Sequence, residues 1–424
     1  MEIKFNDRKD AGIKLSRKLL KYKNKNAVVL AIPRGGVEVG YEVAKKLNAE
    51  FSLIITRKLP YPSDPEAGFG AVAEDGTLFI FEKTALDENT INEIILNQKK
   101  EAQRRVNLFR KKPLPDLKGK TIIIADDGLA MGSTMTAAVR MCRKKGAQKI
   151  ICAVPVSGRF AMELVKKEAD EVFAVSMPAD FYAVAQAYKN WHDVADSEVI
   201  NIMAEAQVFE ELVKNKVLGK RARKIIDELS EKYGKISFLD RGRHSVIILL
   251  DSRYVAKIEK DIPAGKNSAK KEAKWLKLLQ KHKICPGFVY YSPKLRYAVY
   301  EYVKGFFIKD KINAMNKDEL KETMISSLKK ARILDRLKLN KEEMHRPVKH
   351  IIVNSDCIFI DFERTKKTSS PKNVSQLMHY FMLNNADKRI GFDRQNALEL
   401  IKEYKTSGNK ESVFKKISSL IERQ

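Results

Sequence analysis

The chain has 424 residues and a formal net charge of +27. That length exceeds what one ordinary core holds, so two domains are expected. No apolar run reaches the ~18 residues of a membrane span, and the start, Met1-Glu-Ile-Lys-Phe-Asn-Asp-Arg, is not that of a signal peptide. The four cysteines, Cys142, Cys152, Cys285 and Cys357, form no C-x-x-C pair. They exclude a zinc cluster and a disulfide framework and fit a reducing, cytoplasmic setting. Residues 1–210 hold 33 basic and 28 acidic side chains, whereas residues 211–424 hold 48 and 26. A Lys-rich half suits a well-solvated surface. A nucleic-acid surface is the less favoured reading, because the basic residues are scattered and no aromatic-interleaved basic block stands out.

Residues 10–20 carry Ala11, Ile13, Leu15, Leu19 and Leu20 at roughly helical spacing. After a basic turn, residues 27–32 read as a buried strand that runs into Pro33-Arg34-Gly35-Gly36 and a helix over 37–47. Paired glycines let a backbone approach an anion closely, and Arg34 offers a planar fork for phosphate. Taken alone, this is an ordinary strand-to-helix turn. Residues 51–56 read as a third strand with Arg57 and Lys58 at its end. The stretch 59–76 holds three prolines and three glycines, so it is expected to be a loop. Such a loop over a sugar site would act as a lid that keeps water out. A long helix is expected over 87–110, capped by Asp87, with Arg104 and Arg105 on a solvated face in preference to one more diphosphate contact.

Residues 121–136 organise this half. Ile122-Ile-Ile-Ala125 reads as a buried parallel strand, followed by Asp126 and Asp127, a small-residue turn, and a helix from Thr134. A loop that opens a helix presents backbone N–H groups and a positive dipole end to an anion. The two carboxylates cannot bind phosphate. They suit sugar hydroxyls, which donate hydrogen bonds, or a metal. Strands at 149–156 and 171–175, with a helix at 161–168, continue the alternation and imply a parallel sheet with helices on both faces. Ligands bind at the carboxyl ends of such strands. The aromatic cluster Phe181, Tyr182, Tyr188 and Trp191 suits either stacking on a planar acceptor or domain packing.

The stretch 121–136 resembles the phosphoribosyl diphosphate (PRPP) motif of type I phosphoribosyltransferases, with Met131 where that family usually has a small hydroxyl residue. The opening Phe5-Asn-Asp-Arg-Lys-Asp-Ala-Gly12 and the pattern from Arg57 to Gly76 look like one branch, the bacterial and archaeal "predicted phosphoribosyltransferases". The resemblance implies PRPP as substrate with Mg2+, and Asp126 and Asp127 as the catalytic pair on the ribose hydroxyls. It places the 5′-phosphate on Ala130, Met131, Gly132, Ser133 and Thr134. It places the diphosphate on Arg34, Gly35, Gly36, Arg57 and Lys58, with a non-proline cis peptide at Arg34–Gly35.

In the second half, residues 236–260 read as three strands joined by turns. Val255-Ala-Lys257 resembles the V-A-x-K strand of protein kinases, and Glu272, on a following helix, would pair with Lys257. Tyr300-Glu-Tyr-Val-Lys-Gly resembles a kinase hinge, and Ile358-Phe-Ile-Asp361-Phe-Glu resembles the metal-binding D-F-G segment with Glu363 for Gly. The set looks like the archaeal RIO-like atypical serine/threonine kinases. It implies ATP binding by Lys257 and Glu272, and a metal on Asp361. Two departures stand out: His345 falls at the catalytic Asp position and His350 at that of the second metal ligand, usually Asn. Glu342, Glu343 or Asp335 are the available substitutes for the base.

The expected architecture is an α/β transferase-like domain over 1–210, a joint over 211–222 and a small α+β kinase-like domain over 223–424. The leading reading is a phosphoribosyltransferase acting on a nitrogenous base, with a kinase-like partner domain for a protein substrate or for regulation, and with a homodimer left open. The alternatives are a sensor of ribose phosphate and ATP without turnover, or a nucleic-acid-associated regulator.

Overall fold

Short apolar runs form the spine of the first half. The computed structural model describes residues 5–65, 67–81, 86–263 and 267–424. The chain divides into two compact units, Met1–Glu211 and Leu212–Gln424. The first contains α1 (Arg8–Lys18), β1 (Val28–Ala31), α2 (Gly36–Leu47), β2 (Glu50–Leu53), β3 (Thr56–Pro60), β4 (Gly68–Ala73), β5 (Leu78–Ile80), α3 (Glu88–Phe109), β6 (Thr121–Ala125), α4 (Ser133–Lys144), β7 (Lys149–Val156), α5 (Arg159–Lys166) and β8 (Glu171–Ser176). A further helix, α6 (Asp196–Lys214), runs through the boundary.

Strands β2-β1-β6-β7-β8 form one sheet in that order, and every pairing is parallel. Alternation along the strands explains why both faces are apolar. Val28, Leu30, Ile122, Ile124, Cys152 and Val154 face a cluster with Met135, Val139, Ala161 and Val165 from α4 and α5. Val29, Ile123, Ala125, Ile151 and Ala153 face a second cluster with Leu15, Leu19, Val39, Val43 and Leu47 from α1 and α2. Each fully buried Ile or Val contributes roughly 1.5–3 kcal/mol relative to exposure. The outcome is an α/β sheet covered on both sides, with Pro33–Gly36 and Asp126–Asp127 emerging side by side where β1 and β6 end.

Two expectations are corrected here. The third core strand stops at Leu53, and Arg57 and Lys58 lie within β3, part of a separate antiparallel sheet in the order β3-β4-β5. The stretch expected as a loop over 59–76 contributes β4 from Gly68, and Glu66 within it lies outside the described residues. Gly70 there serves close strand approach, since a Cβ on it would sit 2.2 Å from the Phe79 carbonyl oxygen, whereas Gly76, at φ +86°, serves the turn after β4.

The second unit begins with α7 (Gly219–Tyr233), β9 (Ile236–Arg241), β10 (Ser245–Leu250), β11 (Tyr254–Glu259), α8 (Ser268–Leu279), β12 (Phe288–Ser292) and β13 (Tyr297–Glu301). The five strands pair antiparallel in the order β12-β13-β11-β10-β9. Then follow β14 (Phe306–Phe307), α9 (Ile308–Lys311), α10 (Lys317–Arg336), β15 (Leu339–Asn340), β16 (Ile351–Val353), β17 (Cys357–Phe359), β18 (Lys366–Lys367), α11 (Asn373–Leu383), α12 (Ala386–Ile390), α13 (Arg394–Thr406) and α14 (Lys410–Glu422). This is a small α+β arrangement: an antiparallel sheet with the helix α8, then a helical part built on one large core from α8, α10, α11, α13 and α14. Residues 211–222 fall on the last turn of α6, the connection after it and the first turn of α7.

Asp335, a candidate substitute base, is committed to structure. Buried on α10, it accepts hydrogen bonds from Asn373 N (3.1 Å), Asn373 Nδ2 (2.7 Å), Val374 N (3.3 Å) and Tyr404 Oη (2.9 Å). These contacts satisfy the first N–H groups of α11, which have no intrahelical partner. Asp335→Ala leaves these buried donors without an acceptor, so it is expected to cost about 3 kcal/mol. The loss should appear in urea denaturation of the full chain. An unchanged midpoint would refute the anchoring role.

Candidate active site

In the first unit the site forms where β1 and β6 end. Ile32 N donates to Ala125 O, which keeps the two strand exits adjacent. The chain then turns through a cis Pro33–Arg34 peptide, one bond before the expected Arg34–Gly35. Gly35 faces the carboxylates so closely that a Cβ there would lie 1.9 Å from Asp127 Oδ2. Only glycine allows that approach. On the neighbouring exit, Asp126 Oδ1 accepts from Asp127 N at 2.8 Å. Gly132, at φ +83°, turns the chain into α4, whose first residues Ser133 and Thr134 offer backbone N–H groups at a positive helix end. Ala130 and Met131 are exposed on the turn before it.

Sequence reasoning missed a principal member of this site. Arg8, at the start of α1, is 3% exposed and its Nε donates to Asp127 Oδ2 at 2.9 Å. Its Nη1 donates to His192 O at 2.9 Å, and its guanidinium lies 4.0 Å from the Trp191 ring centroid. Tyr188 Oη donates to Asp127 O at 2.7 Å. Two of the aromatic residues, Tyr188 and Trp191, therefore hold Arg8 and Asp127, while Tyr182 is 82% exposed. The available signal was Arg8 within the opening segment that carried the family resemblance. Burial pushes the Asp126 carboxyl well above the usual range, and the Asp127 charge adds to it. Burial raises Asp127 too, but the Arg8 charge and hydrogen bond oppose that rise.

Four arginines supply positive charge. Arg57 Nε donates to Gln98 Oε1 at 3.1 Å, and burial, then repulsion from Arg105 and Arg34, lowers its pKa. Arg105 is not on a solvated face: its side chain is 13% exposed and paired with Glu101 at 2.8 Å. Arg104 pairs with the same Glu101, and Arg34 reaches Asp196 at 3.5 Å. Lys58, also on β3, is half-buried. Mutually repelling cations held together in this way suit a polyanionic ligand.

In the second unit, Lys257 on β11 is 4% exposed and surrounded by carboxylates. Its Nζ lies 2.7 Å from Asp361 Oδ1, 3.2 Å from Glu363 Oε2 and 3.3 Å from Glu272 Oε2. Burial disfavours its charge, yet Glu272, Asp361 and Glu363 together raise its pKa well above the usual lysine value. Glu272 also accepts from Phe362 N at 2.8 Å, so α8 grips the segment that carries Asp361. Against burial, the Lys257 and Lys341 ammoniums hold Asp361 well below the usual carboxylate range. His244, in the turn between β9 and β10, meets Glu363 Oε1 at 2.9 Å. Lys341 pairs with Glu343 at 3.1 Å and donates to the Asp361 carbonyl. His345 is exposed and its Nδ1 meets only its own turn, at Glu342 O. Burial and Lys341 lower the His350 pKa. Among the described residues, no group of three or more His, Cys, Asp or Glu could hold a metal.

The Arg8–Asp127 pair lends itself to a double-mutant cycle. Arg8→Met alone strands a buried carboxylate and is expected to cost about 3 kcal/mol of stability. Adding Asp127→Asn should restore part of that loss, giving a coupling of roughly 1–3 kcal/mol in chemical denaturation. Strict additivity would show that the pair carries no structural weight.

Residues 5–189 match the family model of the phosphoribosyl transferase domain. A protein of Mycobacterium tuberculosis, provisionally named as a phosphoribosyl transferase, is 39% identical over 207 residues, which are 48% of this chain and 47% of that protein. The chain thus spans about half the length of the curated relatives it matches. The crystal structure of TT1426 from Thermus thermophilus is 34% identical, covering 47% of this chain and 97% of that one, with a TM-score of 0.42. An aminoglycoside phosphotransferase, APH(2")-IIa, solved with streptomycin and ATP, is 17% identical over 47% of this chain and 96% of its own, with a TM-score of 0.28. Among the described residues no helix is long and apolar enough to cross a membrane. The carboxylate pair beside the Pro33–Gly36 turn lies within the stretch, residues 5–189, that matches the phosphoribosyl transferase domain model.

Proposed function

We propose that the first unit transfers a phosphoribosyl group from PRPP to a nitrogenous base, and that the second unit binds ATP. The observation that carries the first claim is the meeting of Asp126–Asp127 with the Gly35–Gly36 turn and the start of α4 at one edge of the sheet. Asp126 and Asp127 accept hydrogen bonds from the ribose 2′- and 3′-hydroxyls. The backbone N–H groups of Gly132, Ser133 and Thr134 take the 5′-phosphate. Arg34, Arg57, Arg104 and Arg105, with Lys58, compensate the diphosphate. Magnesium takes oxygen ligands, and carboxylate and phosphate oxygens meet at this edge, so Asp126 and Asp127 suit it together with the substrate.

The chemistry follows from those placements. The bond from ribose C1 to the diphosphate oxygen breaks, and the electron pair leaves with diphosphate. A lone pair on the acceptor nitrogen forms the new bond to C1. Positive charge develops on the sugar in between, and a fixed carboxylate pair opposes it more strongly in a desolvated site than in water. Arg8 keeps Asp127 oriented while this happens, and its charge opposes the rise that burial imposes on the carboxyl. The acceptor nitrogen loses a proton to solvent or to Asp127. Diphosphate release from PRPP with Mg2+ and a panel of bases tests the reading. Asp126→Asn and Asp127→Asn are each expected to lower the rate by about 10²- to 10³-fold. PRPP binding without release for any acceptor would exclude the transfer.

The second claim rests on the buried Lys257 held by Glu272 and Asp361. Lys257 would meet nucleotide phosphates, and Asp361 would hold their metal. Lys257→Ala and Asp361→Ala are each expected to weaken ATP binding about tenfold or more, as charged hydrogen bonds of 1.5–3 kcal/mol imply. Isothermal titration that finds the same affinity in both variants would overturn this assignment.

A further inference from the structure

Lys257 faces more negative charge than one ammonium neutralises. An ammonium has three N–H donors. Lys257 spends them on Asp361 Oδ1 at 2.7 Å and on Glu272 Oε2 at 3.3 Å. A third carboxylate, Glu363, places its Oε2 3.2 Å from the same nitrogen, yet among the described residues that buried oxygen accepts no hydrogen bond. The three acidic groups are therefore not held equally. Glu272 is 1% exposed and also accepts from Phe362 N at 2.8 Å. Glu363 has instead the His244 ring, whose Nδ1 meets its Oε1 at 2.9 Å. His244 belongs to the turn between β9 and β10, and the residue after β11 fastens that turn. Lys260 N donates to His244 O at 2.9 Å, and Lys260 Nζ donates to Gly242 O at 2.7 Å.

We propose that Glu363 is an internal competitor of the nucleotide: its carboxylate occupies the place beside Lys257 that a phosphate oxygen of ATP would take, and His244 latches it there. The inference rests on the ATP-binding reading of the second unit. Charge sets the direction of the effect. Lys257 with Glu272 and Asp361 already carries a net negative charge, and Glu363 adds to it in a buried setting, where like charges repel strongly. A triphosphate brings still more negative charge to the same place, so one carboxylate has to leave. Glu272 is sealed and holds the Phe362 amide, and Asp361 is the metal ligand of the ATP reading. Glu363 is the group that can move. Swinging out costs it no hydrogen bond to Lys257, and breaking its contact with His244 frees the β9–β10 turn from the segment after β17. The second unit at rest is thus held in a state of low affinity for nucleotide. A glycine at this position would supply no such group.

Isothermal titration of the full chain with ATP in MgCl2 tests this. Glu363→Gln keeps the shape and removes the charge, and it is expected to bind ATP about tenfold tighter than wild type. His244→Ala should also tighten binding, by a smaller factor, and should add nothing in the Glu363→Gln background, because it acts through Glu363. A gain from His244→Ala that persists in that background overturns the latch. Wild type that binds ATP while Glu363→Gln binds equally or more weakly overturns the competitor and leaves the ATP reading standing. Binding by Glu363→Gln alone supports both, and binding by neither overturns both. A structure of the wild-type chain with ATP decides the matter even if the variants are unstable: Glu363 should lie clear of Lys257, and a retained contact would overturn the proposal.

Discussion

A carboxylate taken out of water needs a cation or a proton, and the first unit is organised around that need. Asp127 leaves β6 into a pocket where its side chain is 14% exposed. Arg8 answers it from α1, more than one hundred residues earlier. That pairing draws in Tyr188 and Trp191, which cover the guanidinium and hold the Asp127 carbonyl. One ion pair thereby links the start of the domain, its central motif and its closing aromatic segment. It also separates the two acidic residues chemically. Asp127 has a cation and a fixed orientation, whereas Asp126 has a hydrogen bond from the next peptide and no cation.

The second unit meets the same requirement with the signs reversed. Lys257 is the buried charge, and Glu272, Asp361 and Glu363 surround it. Glu363 stands where glycine was expected from the resemblance, and it is not idle there. It bridges Lys257 and His244, so the turn between β9 and β10 is tied to the segment after β17.

Several features were legible because they are local. The strand at 122–125, the acidic pair, the glycine turn at 35–36 and the Asp87 cap each follow from a few adjacent residues. The pairing of Lys257 with Glu272 was also legible, since a strand lysine and a following helix glutamate are close in sequence. What failed was non-local. Arg57 and Lys58 looked like the end of a core strand because the apolar run continues to Ile55, yet the parallel pairing ends at Leu53 and the chain crosses to an antiparallel partner in β4. Arg105 looked solvated because its neighbours on α3 are polar, yet its side chain is 13% exposed and paired with Glu101. His345 fell at the catalytic Asp position by alignment of an apolar ending, which left the proton-accepting role unassigned; it is exposed, with its Nδ1 on its own turn.

Residue order by itself determined the α/β alternation, the strand, acidic pair, turn and helix of the 121–136 stretch, and the order of Lys257, Glu272 and Asp361. Those follow from periodicity, turn chemistry and side-chain charge, which act over a few residues. Tertiary structure alone decided that Arg8 pairs with Asp127, that Asp335 holds a helix start, and that His350 lies beside Asp361. Those outcomes depend on which distant groups share a buried space. Electrostatic and hydrogen-bond needs are satisfied there by whatever the fold brings near, and sequence separation carries no information about it.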